Sequence, residues 1–153
     1  MEREHLDHGR AEVELLGWVG GPPASFASAI RTTVETAMFN RNASACLRLP
    51  FNLDSAPATG ELTLRLRYED GYVAWLNGTE IARANAPSTL RNDSAAVTNR
   101  LRGAATLETS LNLSDRIGLL RPGRNVLAIQ GLNWRADSRD FLLDARLELA
   151  RTE

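Results

Sequence analysis

Apolar residues fall on every second position in several short runs of this chain, which is the period of a strand with one face buried. In residues 62–68, Leu62, Leu64, Leu66 and Tyr68 point one way and Thr63, Arg65 and Arg67 the other. Residues 45–51 set Leu47, Leu49 and Phe51 against Arg48, and residues 141–149 set Leu143, Ala145, Leu147 and Leu149 against Asp144, Arg146 and Glu148. Residues 11–19 alternate more weakly, with Val13 and Leu15 as the buried set and Trp18 near the end of the strand. Val126 to Gln130 is a nearly continuous apolar run, the pattern of a central strand. The predicted core is Leu64, Leu66, Val73, Trp75, one of Val126 and Leu127, one of Ala128 and Ile129, Leu147 and Leu149.

Turn chemistry separates these runs. Asn77-Gly78 lies between the β-rich segments 72–76 and 79–83, and both central residues of a type I′ turn need φ > 0, so a hairpin is predicted there. Asp70-Gly71 reads as the bend before it, with the Asp70 carboxylate taking a backbone N–H and Gly71 supplying the unusual φ. Gly20-Gly21-Pro22-Pro23 ends the first strand, and Arg121-Pro122-Gly123-Arg124 is a tight turn before the central strand. One helix is predicted over residues 25–38, where Phe26, Ile30, Val34 and Met38 form one stripe. Residues 84–109 carry no clear period; a short strand near 104–107 is the one element expected in them, and a loop of that length is functional or mobile. The whole is an all-β, antiparallel β-sandwich with one short helix: a polar tail over residues 1–10 and a single domain over 11–150.

Composition narrows the function. At 153 residues, the chain is long enough to bury a core without staples. Its formal net charge is −1, and acid and base are balanced, which argues against a nucleic-acid partner. All 18 basic residues are arginine and are spread evenly along the chain, as base composition of the coding sequence would produce. Cys46 is the only cysteine, so no intrachain disulfide exists; it is expected as a small, partly buried apolar residue. No stretch approaches a membrane helix, and the start, MEREHLDHGR, lacks the apolar run of a signal peptide.

The order D-G-x-V-x-x-L-N-G from Asp70, followed by L-x-P-G-x-N-V-L-A-I from Leu120, resembles the galactose-binding-domain-like β-sandwich, a jelly roll. Residues 32–51, 62–87 and 119–143 together are similar to a module of large secreted bacterial proteins, where it sits beside lamin-tail-like domains, spore-coat-kinase-like domains and hydrolases. The resemblance runs over about residues 25–149. It implies an accessory role, outside the cell or at its surface, with other domains of a longer protein as partners. It implies neither a reaction nor a particular ligand. The chain would then have lost its export signal or be a piece of a longer protein. Related sandwiches often hold a structural calcium ion in Asp- and Asn-bearing loops; here Asp137 with Asp140, or Asn92 with Asp93, have the spacing for one.

No catalytic constellation is expected. Both histidines, His5 and His8, lie in the tail, and no nucleophile elbow or phosphate loop occurs. Glu69 and Asp70 are adjacent, so on a strand they point to opposite faces rather than converging on one bond. A binding role is the alternative. Sandwich modules hold sugars with an aromatic platform and a few planar polar groups at one rim. Trp75 shares a face with Val73 and is assigned to the core, while Trp18 is either core edge or rim. Trp134 stands in a polar loop between two strong strands. The candidate saccharide site is therefore Asn133, Trp134, Arg135, Asp137 and Asp140, with Asp70 from the bend. The competing reading makes Trp134 a cap on the sandwich and the protein a structural or protein-interaction spacer that binds no sugar.

Overall fold

The structure, a computed structural model, describes residues 10–12, 16–19 and 27–150. The expectations for Val13, Leu15, the Gly20–Pro23 stop, Phe26, the two histidines and the Trp18 side chain lie outside the described residues.

Ten strands form two sheets among the described residues. In chain order they are β1 (Arg10–Glu12), β2 (Leu16–Val19), β3 (Thr32–Thr33), β4 (Ser44–Leu53), β5 (Glu61–Tyr68), β6 (Gly71–Leu76), β7 (Thr79–Ala84), β8 (Thr109–Asn112), β9 (Gly123–Leu132) and β10 (Asp140–Ala150). One sheet runs β3-β2-β10-β5-β8, with β1 also on β10; the other runs β4-β9-β6-β7. All pairings are antiparallel except β2 with β3. The fold is the expected all-β sandwich. Strand β10 is a central member of its sheet, paired with β5 on one side and with β1 and β2 on the other.

The alternating leucines explain the packing. Leu62, Leu64, Leu66, Leu143, Ala145 and Leu147 from one sheet meet Phe51, Tyr72, Ala74, Leu76, Leu127 and Ile129 from the other in one buried cluster. Each fully buried leucine contributes about 1.5–3 kcal/mol through removal of apolar area from water. Gly131 lies on the inner face opposite Tyr72, where a Cβ would come within 2.8 Å of the Phe141 ring. Its missing side chain is what lets Phe141 fill that layer.

Four expectations are corrected. The predicted helix over residues 25–38 is broken into a 3-10 turn at Ala27–Ala29, strand β3 and one α-turn, α1 (Glu35–Met38). Its stripe divides: Ile30 packs on Ala105 and Leu142 outside the six-stranded sheet, whereas Val34 and Met38 join the main core. The strand expected near 104–107 is instead a helical turn, α2 (Arg102–Ala105), with β8 following. Pairing to β5 places the strand at 109–112 rather than at 104–107, where the local pattern carries no period.

Trp75 is the third. Tyr72, Ala74 and Leu76 face the core, so Val73 and Trp75 take the outer face of the four-stranded sheet, where Val73 is buried, as expected, and Trp75 is half-buried. Both parities of β6 are apolar, and period-two alternation cannot then tell inside from outside. Cys46 is corrected with it: it lies on the same outer face, exposed rather than partly buried. Of the paired alternatives in the predicted core, Leu127 and Ile129 are the buried members; Val126, Ala128 and Leu149 are half-buried.

Candidate functional site

Among the described residues, two places bring polar and aromatic groups together. The first is the sandwich end that the sequence singled out. Asp70 has φ 62 and turns the chain between β5 and β6. Its carboxylate accepts the backbone N–H of Arg100 at Oδ1 and that of Trp134 at Oδ2, each at 2.7 Å. It thus ties the β9–β10 loop and the β7–β8 loop to the bend. Gly71 serves close approach rather than φ: a Cβ there would lie 2.7 Å from the Asn85 carbonyl oxygen. Asp70 is 1% exposed, and burial raises its pKa above the ordinary 3.8; the two N–H bonds oppose this, and Asp140 adds to it.

Around Asp70 the chain is tightly tied. Arg100 donates to the Tyr68 carbonyl at 2.7 Å and lies 4.0 Å over the Tyr68 ring. Tyr68 and Tyr72 meet edge to face at 4.7 Å, and burial pushes the Tyr72 hydroxyl up to about 12. Asn85 holds the long loop by donating to the carbonyls of Asp70 and Thr98 and accepting from the Thr98 N–H.

Of the expected rim, Asp70, Trp134 and Asp140 do come to one end of the sandwich, but at different depths. Asn133 is 0% exposed, and neither polar atom of its side chain has a partner among the described residues. Asp140 is buried and accepts from the Ser138 hydroxyl at 3.3 Å. Trp134 is half-buried with the Arg135 guanidinium 5.3 Å from its ring centre, and Arg135 and Asp137 are exposed. The accessible part of the rim is thus Trp134, Arg135 and Asp137, on a foundation of buried Asp70, Asn133 and Asp140. Among the described residues, no three His, Cys, Asp or Glu side chains gather as a metal site, either at Asp137 and Asp140 or at Asn92 and Asp93.

The second place is a cleft of about 420 Å³ on the outer face of the four-stranded sheet. Strand register builds it. One row across the sheet reads Arg48, Ala128, Trp75, Glu80; the next reads Cys46, Gln130, Val73, Arg83. Ala128 is small, so the floor between Arg48 and Trp75 is low. Their backbones stand roughly 10 Å apart, two strand spacings. The long loop forms a wall: Gln130 donates to the Arg91 carbonyl at 2.7 Å and the Ser44 hydroxyl to that of Asn92 at 2.6 Å. Leu90, Arg91 and Asn92 therefore border the cleft.

Sequence reasoning did not single out this cleft. Its signal was the polar parity of β4 and β9, where Cys46, Arg48 and Gln130 alternate with core leucines and Ile129. Extending that parity across β6 would have placed Trp75 beside them. No model of a known protein family matches this chain, and the curated proteins contain no relative that matches it. No described helix is long and apolar enough to cross a membrane.

Proposed function

We propose that the chain is a non-catalytic, carbohydrate-binding accessory module of a larger exported protein, acting outside the cell or at its surface, and that it holds its saccharide in the Trp75 cleft. The observation that carries this reading is the half-buried indole on a rigid strand, in a cleft whose other polar walls are Arg48, Arg91, Asn92 and Gln130. An aromatic face suits the C–H face of a sugar ring, and planar guanidinium and amide groups suit paired hydroxyls. The cleft lies mid-sheet, where backbone hydrogen bonds hold the side-chain positions before any ligand arrives. The burial of Glu69 and Asp70 supports a non-catalytic role, because neither is presented to a bond in solvent. The resemblance to modules of secreted proteins supports the accessory setting.

Affinity is expected between about 1 mM and 1 µM, as for an open cleft that buries little area. A glycan array followed by tryptophan-fluorescence titration tests the reading on wild type, Trp75→Ala and Trp134→Ala. Loss of binding in Trp75→Ala alone supports the cleft. Loss in Trp134→Ala alone moves the saccharide to the rim. An empty array replaces this reading with the spacer, which has one observation of its own: Val97, Leu101 and Leu107 are 57%, 85% and 66% exposed on the long loop. Apolar side chains so placed suit contact with a neighbouring domain.

A further inference from the structure

We infer that the saccharide taken by the Trp75 cleft is acidic, carrying carboxylate or sulfate groups along its chain; this rests on the carbohydrate-binding reading above. The charged residues that line the cleft are of one sign. Arg48 and Arg91 line it, and among the described residues no Asp or Glu does. Among the described residues, no carboxylate pairs with the guanidinium of either. The acid nearest by register is Glu80, directly across from Trp75 on β7. It is already engaged: Arg83 donates to both its oxygens, at 2.6 and 2.8 Å, and that contact lowers its pKa. Glu80 is therefore neutralised by a partner outside the cleft, while the two cleft arginines keep free donors.

The placement of those donors matters as much as their sign. Arg48 rises from β4 on the row of Trp75, across the low floor of Ala128. Arg91 comes from the loop wall, whose backbone is fixed by Gln130. A sugar ring stacked on the indole then has a cation on the sheet and another on the loop. Guanidinium groups bind carboxylate and sulfate oxygens in pairs of parallel N–H bonds. A neutral sugar would leave both cations with water; an acidic one would pair them.

The test uses wild-type protein and a matched ligand pair: an oligouronate and the same oligomer with its carboxyl groups methyl-esterified. A sulfated oligosaccharide forms a third arm, which tells sulfate from carboxylate as the preferred anion. Binding is read by tryptophan fluorescence and by protection of Cys46, the chain's one cysteine and a lining residue of the cleft, from a thiol reagent. The acidic oligomer should bind about tenfold or more tighter than its ester, weaken as salt rises, and slow Cys46 labelling. Arg48→Gln and Arg91→Gln should each weaken the acidic ligand several-fold and leave the ester nearly unchanged.

Equal affinity for acid and ester, with Trp75 still required, overturns the charge inference and leaves the carbohydrate reading standing. An absence of binding by any saccharide overturns both. Acidic binding that leaves Cys46 labelling unchanged places the anion elsewhere and overturns the inference. A single-stranded oligonucleotide that binds more tightly than any saccharide and protects Cys46 also overturns it, since charge alone would then be the determinant.

Discussion

The Asn77 side chain donates a hydrogen bond of 2.8 Å to Oδ1 of Asn125, joining the tip of the β6–β7 hairpin to the neighbouring strand β9. Each asparagine is fully used. Asn77 also donates to the Leu119 carbonyl and accepts the Val126 N–H, while Asn125 donates to the carbonyls of Arg121 and Gly123 and accepts the Arg121 N–H. One residue makes the type I′ turn, with φ 50 at Asn77 and 85 at Gly78, and the other closes the Pro-Gly turn before β9. The two turn motifs of the sequence are thus halves of one polar joint.

Asn125→Ala should therefore cost about 3 kcal/mol in urea unfolding, because a buried amide is removed and several backbone groups lose their partner together. A loss below about 1 kcal/mol would mean that water replaces the joint. Asn77→Pro should cost a similar amount or more, since proline cannot adopt a positive φ and removes the N–H given to the Val126 carbonyl.

The two faces of β6 predict opposite behaviour for neighbouring aromatics. Tyr72 is buried in the core, and Tyr72→Ala should cost about 3–5 kcal/mol. Trp75→Ala should cost about 1–2 kcal/mol, because a half-buried ring gives up less apolar area. Chemical denaturation of both variants measures the difference. Equal losses would put the indole in the core.

Gly71→Ala should destabilise the protein by about 1–3 kcal/mol, as the added methyl meets the backbone oxygens of Asn85 and Ala84 at 2.7 and 3.0 Å. Gly103→Ala, where a methyl meets nothing within 4 Å, should leave the melting temperature unchanged or slightly raised. Thermal unfolding of the pair separates steric crowding from a general intolerance of alanine.

Asp70 sets a pH dependence. Its folded pKa is raised, so the folded state binds the proton more tightly than the unfolded chain does. Its contribution to stability is greatest below the ordinary 3.8 and is lost as pH rises through the higher folded value. Melting temperatures of wild type and Asp70→Asn between pH 7 and pH 4 test this. The gap should widen in favour of wild type as pH falls. A gap that narrows toward acid would show that the bonds from Arg100 and Trp134 outweigh burial.

Asp70 also shows where sequence reading of a site stops. An acid beside a glycine marks a bend in the sequence, and the bend is real. The Asp70 carboxylate, however, faces two backbone N–H groups that arrive from segments 30 and 64 residues away. Nothing local records that they will consume its acceptors. Asn133 sank for the same reason: its neighbours in space, Ala43 and Ala96, come from other parts of the chain.

The amino-acid sequence alone determined the strands whose two faces differ in polarity and the turns that need special backbone angles. Leu62 to Tyr68, Phe141 to Leu149 and Asn77-Gly78 each carry their structure in local chemistry, because alternation and a positive φ are short-range properties. Only the tertiary structure decided which face of Tyr72–Leu76 is inside, because both faces are apolar and the choice rests on register with β9. The same register set Trp75 beside Ala128 and in line with Arg48, and bonds from Gln130 and Ser44 brought Arg91 and Asn92 over them. A cleft assembled from three strands and a distant loop exists only once long-range pairing has brought its residues together, so no window of the chain contains it.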